Sequence, residues 1–227
     1  MSTDPSPTEL ASLIDLHLHR GDISPEELKE QCLEAKRLRL GALSVHGSNV
    51  ELARHCLEES GVKVAAVVGF PIGAMDPDVK RYETEAAIDA GAQEIEVVLN
   101  VARLKVNDTR FVLRELRDVV EAADERPVKV IIEDSLLSDE IRRIACELIP
   151  ESGAKFVQTS TGFMSPATTV ENVRRLRALL EPKYGLKTCG GLHDAQTAHA
   201  MIEAGATRLG TSNVTAIVRG SSNGSDD

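Results

Sequence analysis

Short apolar segments alternate with helix-like segments along the whole chain, and eight such units can be counted. The candidate strands are residues 13–18, 42–46, 63–69, 94–100, 128–133, 155–160, 186–190 and 207–212. Regular alternation of strand and helix is typical of a parallel sheet covered by helices. Eight units within 227 residues favour a closed barrel over an open doubly wound sheet. The sequence therefore predicts an α/β fold, the (β/α)8 TIM barrel.

Start and stop signals separate these units. Ser24, Pro25 and Glu27 supply an N-cap, a first-turn proline and a capping-box glutamate. Glycines follow three predicted helices just before the next strand, where a left-handed C-cap residue is needed: Gly91, Gly153 and Gly205. We expect residues 1–219 to form a single barrel domain. The polar, Gly/Ser-rich residues 220–227 are predicted to be a disordered tail.

Composition narrows the class of partner. The formal net charge is -10, which disfavours a broad surface for nucleic acid or anionic membranes. The four cysteines form no C-x-x-C pair, the first residues lack the apolar core of a signal peptide, and no run approaches the ~18 apolar residues of a membrane span. The sequence predicts a cytoplasmic protein with a small-molecule partner and no cofactor, and a homodimer is a reasonable expectation.

In a barrel of this kind, the chemistry lies at the carboxyl ends of the strands. That rule selects polar residues on six strands: Asp15, His17, His19, His46, Glu96, Asn100, Lys129, Glu133, Gln158, Ser160 and Lys187. Buried charges are costly unless they are paired or used, which favours a functional role for this set. The alternative is that Lys129 and Glu133 form a structural ion pair and that Lys187 ends in solvent.

Glycine-rich loops follow the last strands. Backbone N–H groups and helix N-termini bind anions, and phosphate sites after strands seven and eight are frequent in barrels. The predicted phosphate-binding residues are Thr161, Gly162, Gly190, Gly191, Gly210, Ser212 and Asn213.

Several segments resemble one family. They are VVGFPIGA (67–74), VKVIIE (128–133), GAKFVQTSTGF (153–163), LKTCGGL (186–192) and GATRLGTSN (205–213), in this order along the chain. Together they resemble the deoxyribose-phosphate aldolases, class I aldolases of the barrel type, over residues 13–213. The resemblance implies carbon–carbon lyase chemistry on a small phosphorylated sugar or aldehyde.

The chain departs from that family at the position of its main catalytic residue. Family members carry a lysine in a K-T-S-T-G-F segment that forms a Schiff base, whereas this chain has Gln158 there. An amide cannot form the iminium, so the family mechanism is not available at this residue. Lys187 matches the family's second active-site lysine, and Glu96 matches its strand-four aspartate with one additional methylene. Several accompanying departures favour a natural glutamine over one introduced to trap a substrate.

Further differences lie on the first two strands. Family D-H-T corresponds to Asp15, Leu16 and His17, and family V-C-V corresponds to Val45, His46 and Gly47. From the strand positions and the resemblance together, the expected catalytic residues are Lys187, Glu96, Lys129, Gln158 and Glu133. The expected substrate-binding residues are Asp15, His17, His46, Asn100 and Ser160. Lys187 could form the Schiff base instead, or the lysines could stabilise an enolate without a covalent intermediate.

Two other functions remain open at this point. The first is a non-catalytic descendant that binds a sugar phosphate through its glycine-rich loops. Retention of the strand lysines and carboxylates argues against it, because binding a phosphate does not require them. The second is a metal-dependent hydrolase or lyase, in which His17, His19 and His46 would ligate the ion. The later His and Asp ligands of such enzymes are missing from strands five to eight, so polar lining of a substrate pocket is favoured for these histidines.

Overall fold

The computed structural model describes residues 6–164 and 166–222, and within them eight parallel strands form a closed barrel. The strands are β1 (Ile14–Leu18), β2 (Ala42–Val45), β3 (Lys63–Val68), β4 (Glu94–Val98), β5 (Val128–Ile131), β6 (Phe156–Gln158), β7 (Gly185–Cys189) and β8 (Arg208–Thr211). Each strand pairs with the next along the chain, and β8 pairs with β1. The predicted TIM barrel is confirmed.

Ten α-helices lie within the described residues. They are α1 (Pro7–Ser12), α2 (Pro25–Leu38), α3 (Val50–Cys56), α4 (Pro77–Asp89), α5 (Val101–Lys105), α6 (Thr109–Ala122), α7 (Asp139–Ser152), α8 (Val170–Leu179), α9 (Ala195–Glu203) and α10 (Val214–Ser222). Helix α10 extends three residues past the boundary at 219, so residues 220–222 are helical where the tail was expected. The rest of that expected tail, residues 223–227, lies outside the described residues. None of the described helices is both long and apolar enough to cross a bilayer.

The predicted helix boundaries follow the sequence signals. Ser24 caps α2 by accepting a hydrogen bond of 3.1 Å from the backbone N–H of Glu27. The Glu27 carboxylate accepts from Arg20 at 3.2 Å. Gly91, Gly153 and Gly205 adopt φ angles of 103°, 94° and 107°, which only glycine adopts without strain. These glycines let the chain leave each helix and enter the next strand.

Strand alternation divides the barrel into two layers of different chemistry. Outward-facing side chains pack against the helices and form an aliphatic core, with one buried example from each strand: Leu16, Leu43, Val64, Ile95, Val130, Val157, Leu186 and Leu209. Inward-facing positions are two residues apart and carry the polar and charged side chains. The sites with chemical potential therefore lie inside the barrel and at its carboxyl end.

Candidate active site

Six charged side chains meet inside the barrel, and we call them the charged layer. They are Asp15, Glu94, Glu96, Lys129, Lys187 and Arg208. Three are acidic and three are basic, so their formal charges sum to zero. Both lysines, Asp15 and Glu96 have no exposed surface. Charges this deeply buried are tolerated only where each has partners of opposite sign.

Both lysines contact more than one carboxylate. Lys187 Nζ lies 2.6 Å from Glu96 Oε1 and 2.8 Å from Asp15 Oδ2. Lys129 Nζ lies 2.6 Å from Asp15 Oδ2, 2.6 Å from Glu94 Oε2 and 3.3 Å from Glu96 Oε1. Every acid in the layer contacts at least two cations, and every cation contacts at least two acids. The layer behaves as one network and not as separate pairs.

The network sets the charge state of its members. Burial alone would lower the pKa of Lys129, but Asp15, Glu96 and Glu94 outweigh it and raise that pKa above its ordinary value. Burial would raise the pKa of Asp15, yet Lys129, Lys187 and Arg208 hold it well below its usual range. The pKa of Glu96 is lowered as well, because Lys187 and Lys129 outweigh its burial. Lys129 is therefore an ammonium group, and both acids are carboxylates.

Gln158 joins this network through one hydrogen bond. Its Nε2 donates to Glu96 Oε2 at 3.1 Å, while Lys187 donates to the other oxygen of the same carboxylate. Gln158 has no exposed surface, and its Oε1 is buried without a hydrogen-bond partner among the described residues. Gln158 and Lys187 are directly paired in the β6–β7 register. The amide thus occupies the centre of the site as a neutral group that orients Glu96.

A cavity of about 300 Å³ lies above the charged layer at the carboxyl end of the barrel. All seven predicted phosphate-binding residues line it: Thr161, Gly162, Gly190, Gly191, Gly210, Ser212 and Asn213. Lys187 lies two residues before Cys189 and Asp15 lies two before His17, and both later residues line the cavity. The charged layer is therefore one inward-facing level below the cavity floor.

Hydroxyl groups fix the loops around this cavity. The carbonyl oxygen of Cys189 accepts hydrogen bonds from Ser160 Oγ at 3.0 Å and from Thr168 Oγ1 at 2.7 Å. Glu133 Oε1 accepts from the backbone N–H of Thr161 at 2.6 Å. These contacts tie the end of β6 to the end of β7 and to the segment after β5. Gly162, Gly190 and Gly191 have φ angles of 80°, 81° and 74°, which gives the loops their tight turns.

Three predicted site residues have structural contacts that strand alternation did not indicate. Strand β5 ends at Ile131, and Glu133 has a left-handed φ of 50°, so its carboxylate turns to Thr161 instead of Lys129. Asn100 lies beyond the end of β4, and its side chain caps α5 by accepting from Arg103 N at 3.1 Å. Ser160 donates to the Cys189 carbonyl.

The alternative roles proposed for the lysines are wrong. Lys129 makes its ion pairs with Asp15, Glu94 and Glu96, not with Glu133. Lys187 does not end in solvent, since none of its surface is exposed. Asp15, which was expected to bind substrate, is fully buried within the charged layer, where it pairs with Lys187.

The histidines are close together but do not form a ligand set for a metal. His19 Nε2 lies 2.9 Å from Ser44 Oγ, and His46 Nε2 lies 3.0 Å from the carbonyl oxygen of His19. Within the described residues, no group of three His, Cys, Asp or Glu side chains is arranged to hold a metal ion. The geometry therefore does not favour the metal-dependent alternative.

Sequence reasoning missed two members of the charged layer, Glu94 and Arg208. Both stand at the first residue of their strands, which is the end opposite to the one where chemistry was sought. Arg208 Nε lies 2.6 Å from Asp15 Oδ1, and its Nη2 lies 3.5 Å from Glu94 Oε1. Strand alternation could have identified both residues, because side chains two residues apart on a strand face the same side. Glu94 lies two residues before Glu96, and Arg208 lies two residues before Gly210.

Known proteins resemble this chain over most of its length. The family model described as DeoC/LacD family aldolase matches residues 10–220. A relative from Bacillus licheniformis, named deoxyribose-phosphate aldolase 1, is 44% identical over 213 residues, which are 93% of this chain and 96% of the relative.

Solved structures give the same result. The structure described as QR15, an aldolase, has a TM-score of 0.89 and 35% identity, and the match covers 93% of this chain and 95% of that chain. A tetrameric deoxyribose phosphate aldolase from Aeropyrum pernix has a TM-score of 0.88 at 29% identity, covering 94% and 91%. With the barrel, the loops and the retained strand residues, these matches show that the chain belongs to the DeoC/LacD family of aldolases, which are carbon–carbon lyases.

Proposed function

We propose that this protein cleaves and forms a carbon–carbon bond in a small phosphorylated β-hydroxy aldehyde, with deoxyribose 5-phosphate as the first candidate, and that no covalent enzyme intermediate forms. The relatives' names support the substrate class. The loops support it independently, because seven residues of anion-binding type line one cavity. The phosphate would bind at these loops and the aldehyde would point down towards Lys187.

The contacts of Lys187 are the observation that carries the non-covalent mechanism. Its Nζ lies 2.6 and 2.8 Å from two carboxylates whose pKa values are lowered, so ion pairs hold it on both sides. A Schiff base at Lys187 would require loss of its proton and of both ion pairs, deep in the barrel. As an ammonium group, the same side chain can stabilise an enolate oxygen at a position where Lys187 has no exposed surface.

In this mechanism, each neighbour of Lys187 has a separate task. Glu96 and Asp15 hold the ammonium group in position, and Gln158 fixes the second oxygen of Glu96. When the bond breaks, its electron pair passes into the aldehyde fragment and forms an enolate, whose oxygen receives the Lys187 hydrogen bond. The enolate carbon then takes up a proton, and two aldehydes leave.

The test combines turnover with trapping. The protein is incubated with deoxyribose 5-phosphate, and the release of acetaldehyde and its deuterium content in D2O are followed by NMR. Parallel samples are reduced with borohydride and analysed by intact mass and peptide mapping. We expect turnover and deuterium incorporation without an adduct, loss of both in Lys187→Met, and a trapped adduct at residue 158 in Gln158→Lys.

Each alternative has its own result. An adduct on Lys187 of the unmodified protein would replace the non-covalent mechanism by a relocated Schiff base. Saturable binding of the sugar phosphate without turnover or deuterium exchange would make the protein a non-catalytic sugar-phosphate binder.

Three coarser expectations belong to the same proposal. We propose a cytoplasmic location, supported by four free cysteines, and a single domain over residues 1–219. We also propose a homodimer, and the Aeropyrum pernix structure gives a tetramer as the competing outcome. Light scattering coupled to gel filtration distinguishes monomer, dimer and tetramer.

A further inference from the structure

His17 is one of several titratable residues at the cavity that the mechanism above does not use. It faces inward from β1, directly above Asp15, and lines the cavity beside the predicted phosphate loops. Its ring lies against the backbone of Gly210. A Cβ atom at residue 210 would be 2.4 Å from Cε1 and 2.5 Å from Nε2 of this ring. Glycine at 210 therefore makes room for the imidazole beside the neighbouring strand β8.

Neighbouring side chains fix the orientation of this ring. The His17 and His19 rings are stacked, with centroids 4.5 Å apart and an interplanar angle of 28°. His19 is itself held by Ser44, and Phe70 packs on its ring at 4.8 Å. His17 thus packs on the His19 ring, which is already hydrogen-bonded to Ser44. Such a support reduces the entropy lost when a ligand binds.

The Nε2 atom of His17 is buried and has no hydrogen-bond partner among the described residues. A buried polar atom without a partner costs free energy, so a ligand hydroxyl that reaches Nε2 would remove this cost. The resembling family has threonine at the equivalent position, in its D-H-T segment. The imidazole is therefore a feature of this chain and is not supplied by the family pattern.

The groups that face His17 determine its charge. They are His19 on its own strand, Lys187 and Cys189 on β7, Glu96 on β4 and Asp15 below. Burial, followed by Lys187 and His19, holds the pKa of His17 well below the ordinary value, against the opposite effect of Glu96 and Asp15. The free protein presents a neutral imidazole, with one nitrogen able to accept a hydrogen bond.

We propose that His17 Nε2 is the proton acceptor for the substrate hydroxyl beside the bond that breaks. This inference rests on the proposed function. His17 lies between the phosphate loops and Lys187, where the middle carbons of a phosphorylated β-hydroxy aldehyde would pass. In the cleavage direction, Nε2 takes the hydroxyl proton, the hydroxyl carbon becomes a carbonyl, and the carbon–carbon electron pair enters the enolate held by Lys187. The same proton then returns to the enolate carbon, which balances the reaction.

The first test compares His17→Gln with His55→Gln, a matched change at an exposed position on α3. Glutamine can still hydrogen-bond but cannot accept the proton, so we expect kcat to fall about 10²–10⁴-fold, with KM changed less than about threefold. His55→Gln should match the unmodified protein. If unmodified protein turns over and His17→Gln retains its kcat within about threefold, the inference on His17 is overturned while the proposed function stands.

The second test separates proton transfer from packing. In His17→Gly, added imidazoles should restore turnover, with a rate that depends on the pKa of the imidazole that is added. Rescue that is independent of that pKa would reduce His17 to a structural role. Binding is followed separately by the ¹⁵N shift of His17 Nε2 on titration with deoxyribose 5-phosphate. No turnover in the unmodified protein would overturn both proposals, whereas an unchanged shift in an active protein would overturn only this one.

Discussion

Lys129 in the barrel and Lys80 on α4 are both fully buried beside carboxylates, yet their pKa values shift in opposite directions. Lys80 Nζ lies 2.9 Å from Glu115 Oε1 and donates to the Val98 carbonyl oxygen at 2.8 Å. Burial lowers the pKa of Lys80 and raises that of Glu115, against the attraction between the two. Lys129 has three carboxylate neighbours, and these outweigh its burial.

The difference shows how the number of carboxylate partners affects the pKa of a buried lysine. A single buried pair between two helices is weakened by desolvation, and both of its members also hydrogen-bond backbone groups, Lys80 at Val98 and Glu115 at Asn100. In the charged layer, several partners per charge keep Lys129, Asp15 and Glu96 ionised. Charged groups that remain ionised in a buried site are suited to electrostatic catalysis.

The largest expected effect is the loss of stability when each buried lysine is replaced, and it should be greater at Lys129 than at Lys80. Lys129→Met leaves three acids with only Lys187 and Arg208, and we expect it to reduce the free energy of unfolding by about 3–5 kcal/mol. Lys80→Met should cost less, because Glu115, whose pKa is already raised, can take up a proton. Urea unfolding at neutral pH measures both. Equal losses would mean that the number of partners does not matter.

The next largest effect on stability is expected on acidification, through His19 at the mouth of the barrel. Burial lowers the pKa of His19 to about 4, so below about pH 6.5 the unfolded chain binds a proton there that the folded protein does not. The contribution of His19 is thus present above pH 6.5 and is lost as pH falls to about 4, by about 3 kcal/mol in total. Stability measured from pH 7 to 4 should decline less steeply in His19→Asn. Parallel curves would contradict the assignment. Glu115 has the opposite sign, because its raised pKa favours the folded protein on acidification.

The smallest effect is expected at Asn100, which lies between the two sites. Its backbone N–H donates to Glu115, and its side chain caps α5. Asn100→Ala should therefore cost about 1 kcal/mol of stability and leave KM unchanged. Asn100→Ser, which can still cap, should recover most of that stability. A rise in KM without loss of stability would instead support the substrate-binding role predicted from the sequence.

The barrel and the position of its glycine-rich loops were predictable because they depend on local signals. Strand period, helix caps and glycines after strands are written in adjacent residues, and Gly190, Gly191 and Gly210 line the cavity as their loop positions predicted. Lys187, Glu96 and Lys129 also lie together as expected, since inward positions on different strands converge in a closed barrel.

Contacts that depend on where a strand stops were not predictable in this way. Glu133 lies five residues after the start of β5, but the backbone turns at that residue, and strand alternation no longer applies. Arg208 and Glu94 join the site from the far end of the barrel, and only the closed geometry brings their long side chains to Asp15 and Lys129. No pattern of residues that are adjacent in the sequence specifies these contacts between distant strands.

The charged layer also determines how molecules enter and leave. Its members fill the barrel below the cavity, so ligands have no passage to the opposite end through it, and substrate and products share one mouth. If the phosphate binds at the loops as proposed, the phosphorylated fragment would lie nearer the exit and the small aldehyde deeper. Release would then be ordered, with the phosphorylated product leaving first. In the direction of synthesis, the small aldehyde would enter first, and an excess of the phosphorylated aldehyde should inhibit because it would block the mouth before the small aldehyde has entered.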